Sequence, residues 1–149
     1  MIRTVGSPHR AGQSLVEFAL VLPIFLLLLF GLIDIGRFVY TANALSQAAR
    51  EGARYGSVAG GVAGCTGGRE ACVRKTTLSR LAGVPGATVT VGCQRSTAGS
   101  WTKPSASSCR TNDLLDVTVE ADFQILTPII GQLLGEHSLS GYAQVTVNQ

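Results

Sequence analysis

The sequence predicts an α+β chain: an N-terminal transmembrane helix extended into a small extracytoplasmic head, in which a helix packs on a three-stranded antiparallel sheet. Three observations carry that prediction: an apolar run near the start, an alanine-rich stretch without proline after it, and three segments of alternating apolar residues in the second half. The 149 residues suffice for about one folded domain. Charged residues make up 14% against 46% hydrophobic, with a mean hydropathy of +0.30, which argues against disorder. Lys and Arg number 12 against 9 Asp and Glu, a balance of +3. That balance is too small and too dispersed for a phosphate-binding surface, so no nucleic-acid partner is expected.

Residues 1–12 are a short basic leader with Arg3, His9 and Arg10 and no acidic residue; residues 13–33 are the predicted span. From Leu15 to Ile33 the only charge is Glu17. A helix of that length covers roughly 28 Å, close to the hydrocarbon thickness of about 30 Å. A buried core helix is the weaker reading, because the run is apolar around its whole circumference. A cleaved secretory signal is also weaker: the small-x-small triplet Ala42-Asn43-Ala44 lies well beyond the apolar run, after Asp34 and Arg37. Asp34 and Arg37 cancel, so the basic leader sets the orientation, with the N-terminus cytoplasmic and the head outside.

Residues 34–56 continue the helix, with helix-forming alanines and no proline. Leu45, Ala48, Ala49, Gly52 and Ala53 share one face, and Asn43, Gln47, Arg50 and Arg54 occupy much of the rest. The small-residue stripe suits close approach of another backbone, in the protein's own head or in another subunit, and the sequence leaves both open. Gly56, Gly60, Gly61, Gly64, Gly67 and Gly68 are expected to end the helix. The head, residues 57–149, opens with a predicted helix Glu70–Ala82 that places Ala71, Leu78, Leu81 and Ala82 on one face before the stop signals Gly83 and Pro85. Strands follow at Ala87–Cys93, Leu115–Phe123 and Leu139–Val147, each alternating apolar and polar. Gln94–Asn112 reads as a long loop.

All four cysteines, Cys65, Cys72, Cys93 and Cys109, fall in the outer half, in a compartment expected to be oxidising. Their spacing gives no Cys-x-x-Cys and no zinc pattern. Two structural disulfides are expected, and of three possible pairings Cys93 with Cys109 and Cys65 with Cys72 are favoured, because each closes a Gly- or Ser-rich loop. Asp116, Glu120 and Asp122 lie on one side of the middle strand, opposite its apolar face, and read as a solvated face rather than a cation site. There is no nucleophile elbow, phosphate loop or dinucleotide fingerprint, and His9 and His137 have no second histidine or cysteine near them. His137 reads as an exposed loop residue. No enzyme, cofactor, metal or small-molecule substrate is expected.

Glu17 is the expensive residue. A carboxylate at the centre of a bilayer costs about 2.5–3.5 kcal/mol, and less near an end; the bland reading is that it reaches headgroup water. Its setting, Gly12-Gln13-Ser14-Leu15-Val16-Glu17-Phe18 after a basic leader, resembles the type III signal of type IV pilin-like proteins. That resemblance implies a cut by a prepilin peptidase between Gly12 and Gln13, with Glu17 as the fifth mature residue. The run GQSLVEFALVLPIFLLLLFGLIDIGR followed by NALSQAAREGAR, from Gly12 to Arg54, is similar to the TadE-like family of tight-adherence (Flp) pilus assembly. The head sets the chain apart from the major Flp pilin, which is little more than the helix. The resemblance implies a minor pilin or pseudopilin of the bacterial inner membrane, working with the lipid bilayer, other pilin-like subunits, the tight-adherence machinery and prepilin peptidase to build a pilus for adhesion. It also implies an assembly role for Glu17. The alternative is a single-span, membrane-anchored extracytoplasmic binding protein that keeps its leader. Pro23 either kinks the span or is a harmless membrane proline.

Overall fold

The computed structural model describes residues 9–58, 67–97, 100–103, 109–127 and 137–148. Helix α1, His9–Val58, runs 50 residues through Pro23, roughly 75 Å at the usual rise. Its first part is bare: Leu15, Phe18, Ile24, Leu28 and Leu32 are all largely exposed. Its last part is the spine of the head, with Leu45, Ala48, Ala49 and Ala53 buried against the sheet. The small-residue stripe therefore packs on the protein's own head, which decides between the two readings the sequence leaves open. Asn43, Gln47, Arg50 and Arg54 stay exposed on the other faces.

Gly56 does not end α1, contrary to expectation; it lies inside the helix, where a Cβ would collide with Leu115 and Val73. Its missing side chain is a packing requirement rather than a stop signal. Helix α2 spans Gly68–Ser79 and buries Cys72, Val73 and Thr77. The expected face was a different one: Ala71 and Leu78 are exposed, and Leu81 is buried from the turn that follows. What orients α2 is Gly52 on α1, where a Cβ would strike the Thr77 side chain. The Thr77 hydroxyl can sit in that contact because it donates to the Val73 carbonyl at 2.8 Å, so no polar group is left unsatisfied.

The strands are β1 (Thr88–Thr97), β2 (Ser100–Thr102), β3 (Leu114–Phe123) and β4 (His137–Thr146), antiparallel in the order β2-β1-β3-β4. The three expected strands form the body of the sheet. β2 is an addition: the region expected to be a loop from Gln94 instead continues β1 to Thr97, which pairs with Ser100. Val91, Val117 and Ala143 lie in one row, and Cys93, Leu115 and Val145 in another. The inward positions of β3, from Leu115 to Phe123, are all buried under the helices, whereas Thr90, Glu120, Tyr142 and Gln144 face outward, the alternation of a sheet covered on one side. On β4 the inward position at the crossing with α1 is Gly141, where a Cβ would lie 2.5 Å from the Leu45 carbonyl carbon and 2.7 Å from the Ser46 nitrogen. Helix and strand backbones touch there, which only glycine permits.

Candidate functional site

The residues that sequence reasoning singled out for assembly stand at the start of α1. Gly12 and Gln13 lie in its first turns, and Glu17 one turn further along, all exposed. Gln13 and Glu17 are four apart and share a face of the helix. Among the described residues Glu17 has no ion pair, so nothing within the described chain neutralises it. Among those residues α1 is the helix long and apolar enough to cross a membrane.

At the other end of the apolar run the structure builds a site that sequence reasoning reduced to a pair of cancelling charges. Asp34 is 7% exposed. Its carboxylate accepts from the Leu126 amide at 3.1 Å, the Thr127 amide at 2.9 Å and the Thr127 hydroxyl at 2.6 Å. Arg37 stands 3.6 Å away. Burial pushes the Asp34 carboxyl up, but the Thr127 hydroxyl, the two amides and Arg37 outweigh it and hold the group below the ordinary carboxylate value. Around this anchor Arg37 donates to the Gln124 carbonyl at 3.4 Å and lies over the Phe123 ring at 5.5 Å. Phe38 meets Phe123 edge-on at 5.6 Å. The helix leaving the apolar run is thus tied to the end of β3 by charge-assisted hydrogen bonds and two aromatic contacts. A signal existed in the sequence: Asp34 and Thr127 each flank an apolar segment, but nothing local pairs residues so far apart.

The opposite end of the sheet is closed by covalent and ionic ties. Cys93 and Cys109 form a disulfide with a Cα separation of 5.9 Å, as favoured. Cys72 is also disulfide-bonded; its expected partner, Cys65, lies outside the described residues. Asp113, 5% exposed, takes a two-pronged contact from Arg95, with Nε 2.9 Å from Oδ1 and Nη2 2.6 Å from Oδ2. It also accepts from the Arg110 amide at 2.8 Å. Arg95 is the main reason that the Asp113 carboxyl is held below its ordinary value; burial opposes it and the Arg110 amide adds to it. The backbone there is turned by Asn112, whose φ of 69° is left-handed, and is bonded both ways to Val147.

Among the described residues the carboxylates of the middle strand do not converge on a common site. Glu120 and Asp122 are exposed, and Asp116 is half-buried beside Gly92. Among the described residues no group of three His, Cys, Asp or Glu side chains is placed to hold a metal. His137 opens β4 opposite Phe123, so it is a strand residue rather than a loop one, and it is exposed.

No curated protein and no solved structure is significantly similar to this chain. The family model described as TadE-like protein matches residues 12–54, a stretch that lies entirely within α1 and takes in Gly12, Gln13, Glu17, Asp34 and the small-residue stripe. The resemblance to the TadE-like family is thus confined to the long helix, and the head lies outside it.

Proposed function

We propose that the protein is a membrane-anchored minor pilin or pseudopilin that acts in the assembly of a tight-adherence (Flp) pilus used for adhesion. One observation carries the reading: the TadE-like match coincides with a single helix that begins as a bare apolar span and ends as the buried spine of the head. A subunit of this shape can pack laterally through its apolar half while holding its head clear. The chain sits in the bacterial inner membrane with its N-terminus cytoplasmic and its head outside, in keeping with the basic leader and the disulfides. Prepilin peptidase cuts between Gly12 and Gln13, and Glu17 then pairs with the new amino group of a neighbouring subunit, which offsets the desolvation of both charges. The reading assigns no catalysis, cofactor, small-molecule substrate or nucleic acid.

The test is made in the native host, by intact-mass analysis of the protein with and without its prepilin peptidase, together with pilus counts in a strain lacking the gene. A mass that drops by the leader only when the peptidase is present, with pili lost in the deletion strain, is the expected result. An uncut chain and unchanged piliation would replace this reading with that of an unprocessed membrane-anchored binding protein.

A further inference from the structure

The apolar surface of α1 does not stop with the run that ends at Ile33. Ile35, Phe38, Val39 and Tyr40 are 63%, 44%, 50% and 65% exposed, so the apolar length from Leu15 to Tyr40 is roughly 39 Å. That exceeds a hydrocarbon core of about 30 Å and approaches the full bilayer with its headgroup layers, about 40–45 Å. Asp34 falls inside this length, and its hydrogen bonds to the Leu126 and Thr127 amides fix the end of β3 at the same height. Of the residues held there, Thr127 is buried, whereas Leu126 turns outward and Ile125 beside it is half-buried. Leu126 is 59% exposed, and Ile125 joins Gly31, Asp34, Ile35, Phe38 and Phe123 in lining a groove of about 260 Å³, in which the Asp34 carboxylate is already engaged by Leu126 and Thr127. Gly31 belongs to the apolar run itself, so the groove opens at the depth of the last turns of the span. Arg37, whose side chain is 45% exposed, stands at the same level, a cation where lipid phosphates lie.

We propose that the head is seated on the bilayer, with Ile125 and Leu126 immersed in the interfacial layer beside Ile35 and Phe38, and a phospholipid acyl chain occupying the groove. The inference rests on the reading that α1 crosses the membrane. Continuity with the span identifies the occupant: a groove that begins at Gly31 is already in contact with lipid, and acyl chains fill it without any new partner being recruited. In water the same surface would be a contiguous apolar patch of the kind that soluble domains avoid. Asp34 then acts as a depth stop, holding the end of the sheet at a fixed distance from the hydrocarbon.

The experiment uses the full chain in phospholipid vesicles. Trp101→Phe removes the single tryptophan, and tryptophan is placed in turn at Phe25, at Leu126 and at Tyr142, which is exposed and pairs with Thr118 in the middle of the sheet. Fluorescence quenching by phospholipids brominated at graded depths is then read. Phe25→Trp is expected to be quenched best by deep bromines, and Leu126→Trp by bromines close to the headgroups, several-fold more strongly than Tyr142→Trp. Leu126→Trp quenched no more than Tyr142→Trp, with Phe25→Trp still quenched, overturns the seating and leaves the span intact. Loss of quenching at Phe25 overturns the span and the seating with it. Quenching at Leu126 that fades as protein is concentrated relative to lipid assigns the groove to a second copy of the chain and likewise overturns the proposal.

Discussion

Asp34 and Thr127 are 93 residues apart in the chain, yet the Thr127 hydroxyl and amide both donate to the same Asp34 carboxylate oxygen, at 2.6 Å and 2.9 Å. The pair joins the point where the helix leaves its apolar run to the point where β3 ends, and the first prediction concerns it. Asp34→Ala strands two amides and a hydroxyl and should cost roughly 2–3 kcal/mol, whereas Asp34→Asn keeps an oxygen acceptor and should cost less. Hydrogen exchange at Leu126 and Thr127 in the solubilised chain is the measurement. Unchanged protection at both amides in Asp34→Ala would mean that the loop is held by something else.

Acid should loosen both ends of the head together. Asp34 and Asp113 are each held below the ordinary value, so the unfolded chain binds protons more readily than the native one. The stability they supply is complete above the unfolded Asp value of about 3.9 and is lost as pH falls below it through the folded values. Melting followed by near-ultraviolet circular dichroism should show the midpoint falling steeply below about pH 4. Asp113→Asn should flatten that fall and lower stability at neutral pH.

Glycines with opposite surroundings should respond oppositely to a methyl group. Gly141→Ala forces a Cβ into the backbone of Leu45 and Ser46 and should destabilise the head by roughly 1–3 kcal/mol or more, through displacement of α1 from β4. Gly36 has nothing within 4 Å of its would-be Cβ, so Gly36→Ala should stabilise the helix by about 0.5–1 kcal/mol. Equal effects of the two, read by chemical denaturation, would contradict the described helix–strand contact.

Removing the disulfide with Cys93→Ser and Cys109→Ser opens a loop with a sequence separation of 16 and should cost about 3 kcal/mol. Peptide mapping without reduction should recover the Cys93–Cys109 pair. The same map reads the partner of Cys72, for which Cys65 is expected.

Glu17→Ala should leave membrane insertion intact, because it removes a charge from an apolar segment, and should reduce piliation in the host. Gly12→Ala should instead leave an uncut chain. Normal pili with Glu17→Ala would return Glu17 to the role of an interfacial residue reaching headgroup water.

The elements were legible where periodicity is strong and local. The apolar run, the alternation in Leu115–Phe123 and the stripe from Leu45 to Ala53 are each written in consecutive residues, and their buried faces follow directly. Three features were not. The face of α2 was misread because counting apolar residues favours Leu78, whereas packing is set by Gly52 and Gly56, whose contribution is an absent side chain on another helix. β2 is not legible because the residues from Gln94 onward alternate no apolar face. The Asp34 anchor was missed because a carboxylate beside an arginine reads as a surface ion pair, and only the tertiary fold brings the Leu126 and Thr127 amides to it. For Glu17, conversely, the single chain adds little, since among the described residues it has no ion pair and the partner proposed for it lies in a neighbouring subunit.

Because Leu45, Ala48, Ala49 and Ala53, which pack into the core of the head, belong to the same unbroken helix as the apolar run, anchor and head are not joined by a tether. A pull on the sheet reaches the span along the helix axis with no slack to absorb it, and a twist applied to the span turns the sheet through the same angle. Force and torque pass through the backbone contact at Gly141 and the carboxylate strut at Asp34. Anchor and head therefore move as one shaft; in the proposed role as a pilus subunit, flexibility of a fibre would have to come from sliding between neighbouring shafts.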